Sequence, residues 1–321
     1  MKIKQINNLS TLLKILLSFF FLISYSSLNA EVKVVTTIKP IHSLVAGVMD
    51  GLGSPSLIVD GSNSPHNFSL KPSHAKMIED AEIIFWVGED LETFMIKPLE
   101  SIANNATKVS FMDLDSIIKL KFKEENILEV EGYDDDHDDH DDHDDHDDHD
   151  KHADGEFDAH IWLDPKNAIE IVNEIAKTLS LKDPNNKNVY YSNAEKLNHS
   201  LNELIEKINL SINKDARFIV FHDAYQYFEK RFDVSSAGAL ILNEEALPSA
   251  KKVSEIHKII KKQNINCIIS EPQFNPNIIK SIAQDSSILT RSFDPLGSSF
   301  DTNKNLYFEM ILSLSNSLKD C

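Results

Sequence analysis

Histidine and acid carry most of the chemistry available to this chain of 321 residues, and its 13 histidines fall into two sets. Six of them, His137, His140, His143, His146, His149 and His152, recur every third residue in "DDDHDDHDDHDDHDDHDKH", residues 134–152, among twelve aspartates. Imidazole and carboxylate together hold divalent cations, and imidazole is largely neutral near pH 7. A period of three suits neither helix nor strand, and aspartate is poor in both. The segment 131–158 therefore reads as a disordered loop that holds several ions loosely. Ordering it on binding costs entropy, so its affinity per ion should lie below that of a preformed cleft. Zinc capture and handover, metal-level sensing and low-complexity filler are the three readings of it.

The second set stands apart. His66 lies in "SPHNF", His160 in "DAHIWLDP" and His222 in "FIVFHDAY". Each falls in a connection, beyond a strand or just before a helix, and in α/β folds ligands collect outside the carboxyl ends of strands. Three imidazoles converging from three connections make an N₃ set suited to Zn²⁺, with a fourth position for a carboxylate or water. Asp294 in "SFDPLG" is the natural carboxylate, with water as the alternative. Glu271 in "SEPQF" is placed to orient an imidazole from behind. His42 in "KPIHSLV" is at most an auxiliary contact. His74, His199 and His257 fall on predicted helices and read as surface residues.

The elements that must position these residues can be read from periodicity. "VKVVTT", "PSLIVD" and "EIIFWVG" read as strands, with "IHSLVAGVMDGLG" and "SHAKMIEDA" as helices between them, the second capped by Ser73. After the acidic loop, Asp164 caps a helix whose first residue is Pro165. Tyr190, Ala194, Leu197, Leu201, Leu204 and Ile208 then recur at spacings of four and three, the apolar stripe of a long helix over 184–213. "RFIVF", "NCIIS" and "SILT" follow as strands, with helices between and after them. Alternating strands and helices imply parallel sheets. The expected architecture is two α/β lobes, 31–183 and 214–321, joined by one long rigid helix, with a cleft between them.

Charge and leader narrow the function classes. Net charge is −19, but residues 131–158 alone contribute −15, so the rest is mildly acidic and nothing basic and clustered suggests nucleic acid. Lys2, Lys4 and Lys14 precede the apolar run "ILLSFFFLIS", and small polar residues lead to Ala30. That is a secretory signal peptide over 1–30, with a retained membrane anchor as the alternative. No cysteine follows the apolar run to carry a lipid. Export makes a disulfide between Cys267 and Cys321 the expected state of the two cysteines, against two free thiols.

The motifs "SPHNFSLKPSHAKMIEDAEIIFWVGEDLETF", "HIWLDP", "FHDAYQYFEKRF", "EPQFNP" and "DPLG" resemble, in order and over nearly the whole mature chain, the metal-binding lipoprotein and adhesin class of ABC-transporter solute-binding proteins. Within that class they most resemble the zinc branch, of ZnuA type. The resemblance implies a periplasmic carrier, expected as a monomer, that binds Zn²⁺ between its lobes at His66, His160 and His222. It also implies delivery to a membrane permease driven by an ATPase. An acidic histidine-rich loop and a late cysteine pair are likewise features of zinc members. Manganese members carry a carboxylate where this chain has His222. Some zinc members have a glutamate just before the first histidine, where this chain has Pro65. A manganese or iron carrier of the same fold is the runner-up, followed by a zinc hydrolase and a buffer built on the loop alone. No "HExxH" or "GxSxG" supports a hydrolase.

Overall fold

β-Branched apolar runs make the central strands. Val34–Thr36 (β1) and Ile83–Trp86 (β3) are buried along their whole lengths, as parallel strands covered on both faces must be. With Ser56–Leu57 (β2) and Thr107–Ser110 (β4) they form a parallel sheet of order β2-β1-β3-β4. Val34, Val35 and Thr36 stand opposite Ile83, Ile84 and Phe85. Helices Lys39–Val48 (α1), Pro72–Asp80 (α2) and Thr93–Ser101 (α3) alternate with these strands. The computed structural model describes residues 31–122, 156–241, 250–274, 276–283 and 288–321, and the fold is built by Val32–Cys321. The expected leader at 1–30 and the acidic repeat with His137, His140, His143, His146, His149 and His152 lie outside the described residues.

A helix Pro165–Lys182 (α4) leads to Lys187–Ser211 (α5), and the two pack along each other. Asp164 caps α4 by accepting the Lys166 N–H at 2.8 Å, with Pro165 at the first position, where its missing N–H costs nothing. At 25 residues α5 is about 37 Å long. Its buried face is the stripe Tyr190, Ala194, Leu201, Leu204 and Ile208, with Leu197 partly covered. The helix starts three residues later than its stripe suggests, because Pro184–Asn186 form a separate 3-10 turn. Asp183 fixes that turn by accepting from Asn186 at 2.6 Å and from the Tyr190 hydroxyl at 3.0 Å.

Phe218–His222 (β5), Ala239–Ile241 (β6), Cys267–Ser270 (β7) and Leu289–Ser292 (β8) make a second parallel sheet, of order β6-β5-β7-β8. Gln226–Phe232 (α6), Ala250–Gln263 (α7), Pro276–Ala283 (α8) and Leu306–Ser317 (α9) surround it. Strand alternation separates two cores. Phe218, Val220, Cys267 and Ile269 join the large core that also holds α1, α4, α5 and α9. Ile219, Phe221 and Ile268 face Ile256, Ile260, Ile279 and Ile282 on the other side. Cys267 and Cys321 are bonded, with Cα atoms 5.4 Å apart, which fastens the C-terminus to the start of β7. Among the described residues no helix is long and apolar enough to cross a membrane.

Three elements escape the sequence reading. β4 is largely exposed, β6 has three residues, and α3 carries Pro98 within it. The expected cap of α2 is also corrected. The cap is Lys71, two residues before Ser73, the helix starts at Pro72, and the His74 imidazole accepts the Lys71 N–H at 3.2 Å. His74 is therefore buried, stacked on Phe68 with ring centroids 5.5 Å apart, rather than a surface residue. His257 is likewise half-buried against the Ile282 carbonyl at 2.7 Å, whereas His199 is exposed beside Glu203.

One buried acid leads to a stability prediction. Glu92 is fully buried, and its Oε2 accepts the Val87 and Gly88 N–H groups at 2.8 and 3.1 Å, closing the end of β3. Burial pushes its carboxyl up to about 7, against the pull of Thr37 and the two amides. The folded chain thus keeps this proton up to about pH 7, while the unfolded chain releases it near 4.5. Between those values the folded state binds more protons, so this group's contribution to stability falls as pH rises. The full loss, about 3 kcal/mol, is reached above pH 7. Glu92→Gln keeps an acceptor for the two amides and carries no charge. It should stabilise the protein by about 2–3 kcal/mol at pH 8 and have little effect at pH 4. Urea unfolding at the two pH values measures this, and an equal effect at both would refute it.

Candidate metal centre

The topology of the second sheet builds half of the site. His222 is the last residue of β5, and Glu271 follows the last residue of the neighbouring β7. These two strands flank the point where strand order reverses, the position at which open α/β sheets bind ligands. His66 comes from the long connection after β2, where its N–H is held by the Ser64 hydroxyl at 3.3 Å. His160 comes from the short turn before α4 and is followed by the 3-10 turn Ile161–Leu163. Trp162 anchors that turn by donating from its indole to the Pro295 carbonyl at 2.8 Å.

The three imidazoles converge. Ring centroids lie 5.4 Å apart for His66 and His160, 5.6 Å for His66 and His222, and 5.0 Å for His160 and His222. One nitrogen of each lies within 4.8 Å of the others. Tetrahedral zinc with nitrogens at about 2.0–2.1 Å spaces its ligands about 3.4 Å apart. A contraction of about 1.4 Å at most between any two nitrogens would bring this set to that spacing. Desolvation in the cleft, then the neighbouring His160 and His222, hold His66 well below the ordinary histidine range. His66 is therefore neutral at pH 7, the form in which imidazole donates to a metal.

Two carboxylates stand behind the rings. The His160 Nδ1 lies 2.6 Å from Asp158 Oδ1, which also accepts the His160 N–H at 2.9 Å. This leaves Nε2 of His160 as the nitrogen available to an ion. Asp158 is fully buried; its other oxygen accepts from Gln226 at 2.7 Å and its carbonyl from the Tyr227 hydroxyl at 2.6 Å. His222 Nδ1 lies 3.5 Å from Glu271 Oε1. Burial, then the charge of Glu271, pushes the Tyr225 phenol far above its ordinary range, so it remains a proton donor beside that carboxylate. Three imidazoles backed by two carboxyl groups form a nitrogen donor set suited to a divalent cation. A second tie crosses the cleft: Arg231 of α6 grips Asp164 in a fork at 2.6 and 2.7 Å.

Glu271 stands behind His222, as its position after β7 suggests. Asp294 is buried but stands apart from the triad, its oxygens turned into its own loop, where they accept from Leu296, Ser298 and Ser299. Its carboxylate satisfies the backbone of a tight turn, in which Gly297 adopts φ +66° and a Cβ would sit 2.9 Å from Leu306. His42 is buried with its Nε2 3.0 Å from the Pro55 carbonyl and takes no part in the triad. Asp158 is the residue that sequence reasoning missed. In sequence it reads as the end of the acidic loop, yet Phe157 pairs with Lys121 and the Asp158 N–H reaches the Leu120 carbonyl at 2.8 Å. The usable signal was its spacing, two residues before a histidine that precedes a helix.

Asp158→Asn keeps an acceptor for Nδ1–H but removes the charge that raises the basicity of the ring. It should weaken zinc binding about 10- to 100-fold while leaving the fold intact. Titration against a competing chelator, with circular dichroism as the folding control, would show this; unchanged affinity would contradict the arrangement.

Comparison with known proteins agrees with the geometry. The fold is that of a zinc-bound ZnuA deletion mutant (TM-score 0.70, 20% identity, 90% of this chain and 97% of that one). It is equally that of the SBP FpvC from Pseudomonas aeruginosa in complex with Mn²⁺ (TM-score 0.71, 16% identity, 90% and 99%). The high-affinity zinc uptake system protein ZnuA of Brucella abortus (strain 2308) is 43% identical over an aligned length of 312, with 92% of this chain and 93% of the relative covered. The model of the family described as zinc-uptake complex component A, periplasmic, matches residues 34–321. With that span matched and that identity, the chain belongs to the ZnuA family.

Proposed function

We propose that this chain is the periplasmic zinc-binding component of an ABC-type zinc uptake system. It takes one Zn²⁺ between its lobes on His66, His160 and His222 and delivers it to a membrane permease driven by an ATPase. It is a carrier and not an enzyme, in keeping with its family. The observation that carries this reading is the convergence of three imidazoles from three segments onto one point. The fold does not choose the metal, since structures with zinc and with manganese share it. The donor set does: three imidazole nitrogens suit Zn²⁺, whereas Mn²⁺ prefers more oxygen.

A cleaved leader at 1–30 would deliver the chain to the periplasm. The lobes are assigned to 31–183 and 214–321, with the segment 184–213 that carries α5 (Lys187–Ser211) between them. His137, His140, His143, His146, His149 and His152 would gather zinc near the cleft at lower affinity per ion. Competition tests the choice of metal. Protein loaded with Mn²⁺ and given one equivalent of Zn²⁺ should exchange essentially all of its manganese, read by metal analysis after desalting. Retention of Mn²⁺ would favour the manganese carrier instead.

A further inference from the structure

Gln273 lines the same pocket as the three histidines, together with Glu271 and Leu296. Its amide is not free to turn. The side-chain nitrogen donates to Asp294 Oδ1 at 2.7 Å, and because a carboxylate only accepts, the nitrogen and not the oxygen must face Asp294. The amide oxygen is thereby directed elsewhere. It is buried and has no hydrogen-bond partner among the described residues, a condition that buried carbonyl groups rarely tolerate unless something else supplies the missing contact.

Asp294 is built for this task. Besides Gln273, it accepts from the Leu296 N–H at 3.0 Å, the Ser299 N–H at 3.3 Å, and the Ser298 N–H and hydroxyl. A carboxylate with this many donors is held in one orientation and has little capacity left to turn toward the histidines. The loop that carries it is fixed in turn by Lys39, whose buried ammonium donates to the Ser298 and Phe300 carbonyls at 3.2 and 3.1 Å.

Resting on the zinc-carrier reading above, we propose that Gln273 is a specificity-determining residue. Its neutral amide oxygen serves the fourth side of the ion bound by His66, His160 and His222, and Asp294 is the positioning residue that aims it. A neutral oxygen there leaves the ion with a nitrogen-dominated set, whereas a carboxylate would supply the anionic oxygen that manganese favours. The residue expected to touch the metal thus acts one step removed, through the amide that it orients.

The test compares wild type, Gln273→Leu, Gln273→Glu and Asp294→Asn in the full mature chain. Zn²⁺ and Mn²⁺ are titrated separately, and the visible spectrum of bound Co²⁺ reports on the coordination shell. Gln273→Leu should lower zinc affinity about 10-fold and alter the Co²⁺ spectrum. Gln273→Glu should raise Mn²⁺ affinity relative to Zn²⁺ by about 10-fold. Asp294→Asn, provided its circular dichroism matches wild type, should shift the Co²⁺ spectrum in the same direction as Gln273→Leu. Zinc affinity, metal preference and Co²⁺ spectrum all unchanged in both Gln273 variants would overturn the inference while leaving the triad standing. Failure of the wild type itself to bind zinc would defeat the carrier reading instead.

Discussion

Zinc titrated into a His222→Ala variant is expected to find the tight site gone. Structural zinc sites are worth roughly 10–16 kcal/mol in all, so one of four donors accounts for roughly 3–4 kcal/mol, a loss of about 10²- to 10³-fold in affinity. His222 is the appropriate target because it sits at the rigid end of a fully buried strand and is backed by Glu271. Its removal deletes a preorganised donor and strands the carboxylate behind it. The fold should survive, since the side chain lies at the cleft and β5 is held by Phe218, Ile219, Val220 and Phe221. Competition with a chromophoric chelator would measure the change; affinity within threefold of wild type would exclude His222 from the site.

The second large effect concerns the C-terminus. Replacing Cys267 and Cys321 together by serine opens a loop with a sequence separation of 54. The chain-entropy model assigns about 4 kcal/mol to a closure of that size. The real loss should reach or exceed this value, because both cysteines are buried in the large core and two hydroxyls would replace them there. The Cys321 carbonyl also receives the Arg217 N–H at 3.2 Å and the Asn266 amide at 3.3 Å, so the residues leading into β5 and β7 lose a partner if the tail frays. Guanidinium unfolding of the oxidised and double-serine proteins would give the difference. A loss below 1 kcal/mol would mean that the tail is held without the bond.

The triad was legible because each histidine ends or precedes an element with a strong signal. "FIVF" is a buried strand that stops at His222, and "WLDP" announces a helix just after His160. The lobes and the connecting helix were legible for the same reason, since period-two and period-3.6 patterns survive in isolation. What was hidden depends on direction rather than position. Asp294 lies in the right connection, but the demands of its own turn rotate it away from the imidazoles. Asp158 is hidden by the acidic run that precedes it in sequence, and its burial shows its role only in the structure. Glu92 looked like one more acid in "GEDLETF", because nothing local reveals that it caps the end of a strand. Edge strands β4 and β6 were missed because half-exposed or very short strands need little apolar patterning.

On this reading the principal metal site is the cleft triad and not the acidic repeat. The most direct measurement is zinc stoichiometry and affinity in the mature chain lacking residues 134–152. One tight zinc per chain should remain, with an affinity within a few-fold of the full chain, and only weaker additional binding should disappear. Loss of all tight binding in that deletion, with the fold intact by circular dichroism, would contradict it and move the site to the repeat.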